Sequence, residues 1–138
     1  MIRINLLVFG LSVILCSAFS FYVNLEYFEV VPSVGDTLET FIFGNIFFSF
    51  LPNCILAFAL GIFGKLSINQ NIKVIITSIL FYCCLQISNF LVFNNYSCQW
   101  TTCDRSLLQF HLIDHGVLSV VFLLAFILLY RWIWKIFL

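Results

Sequence analysis

Residues 40–64 read TFIFGNIFFSFLPNCILAFALGIFG, an apolar run without a charged side chain. A helix needs roughly 20 mainly apolar residues to cross a hydrocarbon core about 30 Å thick, and this run is long enough. Three more predominantly apolar segments have a similar length, residues 4–23, 74–93 and 116–135. The sequence therefore predicts an all-α fold, a polytopic membrane helical bundle of about four transmembrane helices.

The composition excludes a water-soluble domain. The 138-residue chain is 63% hydrophobic and 9% charged, whereas soluble domains are about 45–50% apolar and about 25% charged. A soluble protein of this size buries only about two-thirds of the surface that its unfolded chain exposes, so many apolar side chains would contact water. The formal net charge is zero, which leaves no basic excess for nucleic acid. We expect the lipid bilayer as the environment and no nucleic-acid partner.

The positions of the charges predict how the chain faces. Five of the six basic residues lie on one side of the predicted spans, namely Arg3, Lys65, Lys73, Arg131 and Lys135. Because short cytoplasmic loops retain Lys and Arg, both termini and the loop 65–73 are predicted inside, and the loops 24–39 and 94–115 outside. Residues 1–138 contain no clear repeat or linker, so we expect a single transmembrane domain. We expect its membrane to be a bacterial inner membrane.

Four amides are the candidate polar contacts inside the bilayer. Asn45 and Asn53 are eight residues apart and share a face of the second helix, and Gln86 and Asn89 share a face of the third. Interhelical amide hydrogen bonds are worth about 0.6–2 kcal/mol in membranes. The alternative is a polar pathway for an ion or solute. Since no Asp, Glu, Lys, Arg or His lies deep in a span, structural contacts are favoured over a pathway.

Two local features affect the helices themselves. Pro52 lies in the middle of the second helix, where the missing N–H predicts a kink. The fourth helix ends in basic and aromatic side chains that suit the headgroup level, which predicts an interfacial anchor made of Arg131, Trp132, Trp134 and Lys135.

The second outer loop carries the groups most capable of chemistry. Cys98 and Cys103 are predicted to form a disulfide in an oxidising compartment, and their spacing lacks the C-x-x-C pattern of dithiol catalysts. His111, Asp114 and His115 fall on one side of a helix and form a weak candidate metal site. We therefore keep thiol or metal chemistry at this loop as one functional hypothesis.

Apart from that loop, the chain shows no catalytic triad, phosphate-binding glycine loop or dinucleotide fingerprint. We expect no cofactor and favour a non-enzymatic role. The leading hypothesis is contact through helices with another membrane protein, as an accessory subunit or an immunity-type protein against a membrane-active toxin, or with a second copy. A small channel or carrier is the alternative. Cleavage of the first segment after Ala18, as in a signal peptide, also stays open.

Overall fold

The computed structural model describes residues 2–30, 37–63, 65–96 and 115–137. The described part contains four α-helices, and each is long and apolar enough to cross a membrane. They are α1 (Ile2–Val30), α2 (Leu38–Phe63), α3 (Gln70–Tyr96) and α4 (Gly116–Phe137). The predicted all-helical class is confirmed, and the chain has the features of a multi-pass membrane protein.

Side-chain caps define where two of the helices begin. Thr37 precedes α2, and its hydroxyl accepts a hydrogen bond from the Thr40 backbone N–H at 3.3 Å. Asn69 precedes α3, and its Oδ1 accepts one from the Asn71 N–H at 3.0 Å. Such caps satisfy backbone donors that the first helical turn leaves without an intrahelical acceptor.

Helices α1 and α2 run in opposite directions. Near the start of α1, the Asn5 amide donates to the Leu60 carbonyl at 3.2 Å, close to the end of α2. Near the other end, the rings of Phe21 and Phe41 are 5.4 Å apart. Helices α1, α2 and α3 each pack against the other two, whereas α4 packs against α1 and α3.

Large aromatic side chains fill the centre, and others cover the outside. Phe81 of α3 and Phe126 of α4 are fully buried and stack with ring centroids 4.0 Å apart. In contrast, Phe43 and Phe58 of α2 are 71% and 72% exposed. Serine and asparagine side chains lie inside the same bundle. An apolar exterior around a partly polar interior fits hydrocarbon better than water.

The helices extend beyond the predicted apolar spans. Helix α1 continues to Val30 rather than residue 23, and α3 covers Gln70–Tyr96 rather than 74–93. Hydropathy marks the part of a helix that contacts hydrocarbon, whereas the backbone hydrogen-bond ladder can continue through polar residues at the membrane surface. As a result, Asn24 belongs to α1 and not to a loop.

Candidate functional site

The interior of the bundle contains a cluster of small polar side chains from all four helices. Its buried members are Ser12, Ser20, Asn24, Asn45, Ser49, Asn53, Thr77, Ser78, Ser88, Asn89 and Ser119. Among the described side chains, none of the buried groups is an Asp, Glu, Lys, Arg or His. The cluster is therefore a hydrogen-bonding interior without a formal charge.

Asn53 links α2 to α1 at the centre of this cluster. Its Oδ1 accepts a hydrogen bond from the Ser12 hydroxyl, and its Nδ2 donates to the Ser49 carbonyl at 2.7 Å. The Cys16 thiol also lies against the side chains of Asn53 and Ser12. Asn53 is 0% exposed, and both ends of its amide are hydrogen-bonded within the protein.

A second link joins α1 to α3. The Asn24 Nδ2 donates to the Asn89 Oδ1 at 2.8 Å and to the Ser20 carbonyl at 2.7 Å. Asn53 and Asn89, two of the four predicted amides, thus each bond to α1 rather than to one another. Direct contact between α2 and α3 includes the Cys84 thiol, which donates to the Pro52 carbonyl at 3.3 Å.

The sequence-based reasoning overlooked the polar face of α1. Ser12, Cys16, Ser20 and Asn24 follow one another at intervals of four residues, and residues four apart on a helix lie on the same face. All four are buried in the structure. The repeated spacing of small polar residues was the signal that could have identified this face.

The other two predicted amides lie at the margins of the cluster. The Asn45 Nδ2 donates to the Phe41 carbonyl within α2 at 2.9 Å. Gln86 is half-buried and lies with Tyr82 and Phe90 at a surface groove of about 400 Å³. Helix α2 is continuous through Pro52, and the predicted kink stays a prediction.

Several buried polar atoms in the cluster lack a hydrogen-bond partner among the described residues. They are Ser20 Oγ, Asn24 Oδ1, Asn45 Oδ1, Ser49 Oγ and Thr77 Oγ1. A buried polar group without a partner costs free energy, and in lipid no water compensates for it. These atoms therefore leave hydrogen-bonding capacity unused inside the bundle.

Asn45 lines a groove between α1 and α2, which we call the α1/α2 groove. Its volume is about 510 Å³, and its lining includes Ile14, Ser17, Ala18, Ile42 and Asn45. The size falls within the range of about 300–1,000 Å³ for ligand pockets. The groove combines an apolar wall, two small side chains and one buried amide.

Comparison of the chain with protein-family models, with curated proteins and with solved structures gives no match. The function is therefore inferred from the geometry of the bundle. Its strongest features are the α1/α2 groove, the polar cluster behind it and the distribution of basic residues around the helix ends.

The predicted anchor lies at the end of α4. Arg131, Trp132 and Lys135 are exposed. Trp134 is half-buried, with its ring centroid 6.5 Å from that of Tyr130. This arrangement leaves the basic side chains and one indole available at the bundle end, while the second indole packs against the helix core. The anchoring role itself stays a prediction.

Most of the predicted outer-loop chemistry lies outside the described residues. This applies to Cys98, Cys103, His111 and Asp114, so the disulfide and the metal site stay predictions. His115 immediately precedes α4. Within the described part of the chain, no group of three or more His, Cys, Asp or Glu residues could hold a metal ion. The cysteines described there are free thiols, namely Cys16, Cys54, Cys83 and Cys84.

Proposed function

We propose that the chain is a non-enzymatic membrane protein that binds another membrane protein by helix-to-helix contact at the α1/α2 groove. It would act as an accessory subunit or as an immunity-type protein that blocks a membrane-active toxin. The observation that carries this proposal is Asn45, which is 1% exposed and lines the groove. Its Oδ1 has no donor among the described residues.

The chemistry of Asn45 selects the kind of occupant. A lipid acyl chain can fill an apolar groove but supplies no hydrogen-bond donor, so it would leave the Asn45 oxygen unsatisfied. A transmembrane helix that carries a serine, threonine, asparagine or glutamine can supply both apolar surface and a donor. Such polar contacts between helices are worth about 0.6–2 kcal/mol.

The small residues that line the groove also suit a helix. They are Ser17 and Ala18 of α1, and small residues at a helix interface allow two backbones to approach closely. Ile14 and Ile42 stand at the groove as larger apolar contacts. A partner helix would therefore gain van der Waals packing along α1 and α2 in addition to the hydrogen bond at Asn45.

The test is site-specific photo-crosslinking in native membranes. A photoreactive residue at Ile14, which lines the groove, is expected to yield one discrete adduct with another protein. Ala18→Phe adds bulk to a residue that lines the groove and should lower the adduct yield at least about tenfold, which corresponds to about 1.4 kcal/mol of lost binding free energy. Asn45→Leu should lower the yield by about 3-fold to 30-fold, as loss of one interhelical hydrogen bond implies.

Ala57 provides the matched control, since it is exposed on α2 and does not line the groove. Ala57→Phe adds the same bulk and should leave the adduct yield unchanged. Crosslinks to lipid alone from Ile14 would refute a protein occupant. An adduct composed only of this chain would replace the proposed partner by a second copy.

The same proposal includes an orientation with both termini in the cytoplasm of a bacterium. Support comes from the five basic residues Arg3, Lys65, Lys73, Arg131 and Lys135. They lie at the start of α1, between α2 and α3 or at the start of α3, and at the end of α4. In an alternating bundle these positions share one end, which the retention of basic residues in the cytoplasm assigns to the inside.

A small carrier is the second candidate function. The observation that favours it is the set of buried hydroxyls without partners among the described residues, such as Ser20, Ser49 and Thr77. These groups could exchange hydrogen bonds with a polar solute inside the bundle. Solute flux into reconstituted vesicles that disappears in Asn53→Leu would favour the carrier over the partner-binding function.

A further inference from the structure

A second groove lies between α3 and α4, and we call it the α3/α4 groove. It shares no helix with the α1/α2 groove. Its volume is about 370 Å³, and apolar side chains form most of its wall, including Ile75, Ile79, Leu123 and Ile127. Arg131 also lines it. An apolar groove that includes a guanidinium suits an occupant that is both apolar and anionic.

The length of the α3/α4 groove matches one leaflet of a bilayer. Along α3 it extends from Val74 to Cys83, which corresponds to about 14 Å at 1.5 Å per residue. One leaflet contributes about half of a hydrocarbon core that is about 30 Å thick. A single acyl chain of one leaflet is therefore long enough to follow the groove from one end to the other.

The charge at the Arg131 end is positive. Lys135 follows Arg131 by four residues and so lies on the same face of α4, and Lys73 directly precedes the groove residue Val74. Among the described side chains, Glu39 is the sole carboxylate, and it lies in the first turn of α2, at the opposite end of the bundle. The described residues thus offer Arg131 no internal carboxylate at its own end.

We propose that the α3/α4 groove binds an anionic phospholipid, with one acyl chain along Ile75, Ile79 and Leu123 and the phosphate on the Arg131 guanidinium. Arginine recognises phosphate through paired N–H donors. Lys73 and Lys135 add positive potential around the headgroup, and basic sites between transmembrane helices are suited to anionic lipids. Tyr82 and Cys83 line the groove at the end farthest from Val74, where the acyl chain of the lipid would end.

The test uses the full chain purified in detergent, with lipid binding followed by native mass spectrometry. The probes are dioleoylphosphatidylglycerol and dioleoylphosphatidylcholine. We expect one phosphatidylglycerol to bind at least about tenfold more tightly than phosphatidylcholine. Arg131→Gln should weaken phosphatidylglycerol binding about tenfold, as expected for loss of hydrogen bonds to a charged group. Ile79→Trp, which fills the groove without changing the charge, should weaken binding to a similar extent.

Two variants serve as matched controls. Lys65→Gln removes a positive charge from the connection between α2 and α3, and Ile55→Trp adds the same bulk to an exposed position on α2. Both should bind phosphatidylglycerol like the unmodified chain, and circular dichroism should show equal helicity for all four variants.

Any of four outcomes would overturn the lipid site. The first is equal binding of the two lipids. The second is a loss in Lys65→Gln as large as that in Arg131→Gln, which would indicate a general electrostatic field. The third is undiminished binding in Ile79→Trp, and the fourth is equally tight binding of dihexanoylphosphatidylglycerol. Either of the last two would show that the groove does not hold an acyl chain.

Discussion

Asn53→Asp is expected to destabilise the folded bundle by about 3 kcal/mol, because a charged side chain at the centre of a bilayer costs about 2.5–3.5 kcal/mol. Asn53 is fully buried, and its Oδ1 accepts a hydrogen bond from the Ser12 hydroxyl. Aspartate has nearly the same shape as asparagine, so the substitution changes charge and donor capacity with little change in volume. The ionised carboxylate also cannot donate to the Ser49 carbonyl, as the amide does.

The measurement is the fraction of folded protein against the mole fraction of sodium dodecyl sulfate in mixed micelles. Asn69→Asp is the matched control, because Asn69 is exposed and aspartate caps a helix as well as asparagine does. That control should stay within about 0.5 kcal/mol of the unmodified chain. Equal stabilities for Asn53→Asp and Asn69→Asp would mean that residue 53 is not buried in the bundle.

Phe126→Ala is expected to lower the free energy of unfolding by about 2.4 kcal/mol. The substitution removes roughly 100 Å³ of side chain, and residual cavities cost about 24 cal/mol per Å³. The cavity term dominates because the unfolded reference state of a membrane helix is still in an apolar solvent. Phe126 stacks on Phe81 with an interplanar angle of 2°, so both α3 and α4 would lose contacts.

The control for this cavity is Phe58→Ala. Phe58 is 72% exposed on α2, so lipid can fill the space that the ring vacates, and the change in stability should be near zero. The same detergent titration measures both variants. A cost for Phe58→Ala equal to that for Phe126→Ala would indicate that the two rings have similar surroundings, contrary to the packing described above.

The helices could be predicted because their signal is local. Any run of about 20 apolar residues without a charge indicates a span. Residues 40–64 meet that condition without reference to the rest of the chain. The helix ends were less accessible, because Asn24 and the residues after it are polar but still continue α1. Hydropathy therefore assigned to a loop the asparagine that links α1 to α3.

The hydrogen-bond partners could not be predicted for a different reason. Sequence order indicates that α2 and α3 are neighbours, but it does not indicate that α1 packs against both of them. Gln86 and Asn89 show the related problem of rotation. They share a broad face of α3, but apolar residues surround the helix, so periodicity does not determine which amide points inward. Only Asn89 is fully buried.

The most direct test of the membrane bundle is oxidative crosslinking of Ser12→Cys with Asn53→Cys in carbonate-washed membranes. The six native cysteines are first replaced by alanine, and a protease site inserted within residues 31–36 separates the two halves. We expect the protein to stay in the membrane pellet and its halves to remain joined after oxidation and cleavage. Ser12→Cys with Ile55→Cys, whose isoleucine is exposed on α2, should separate. Loss of the protein to the supernatant, or equal crosslinking of both pairs, would contradict a membrane bundle with its polar faces turned inward.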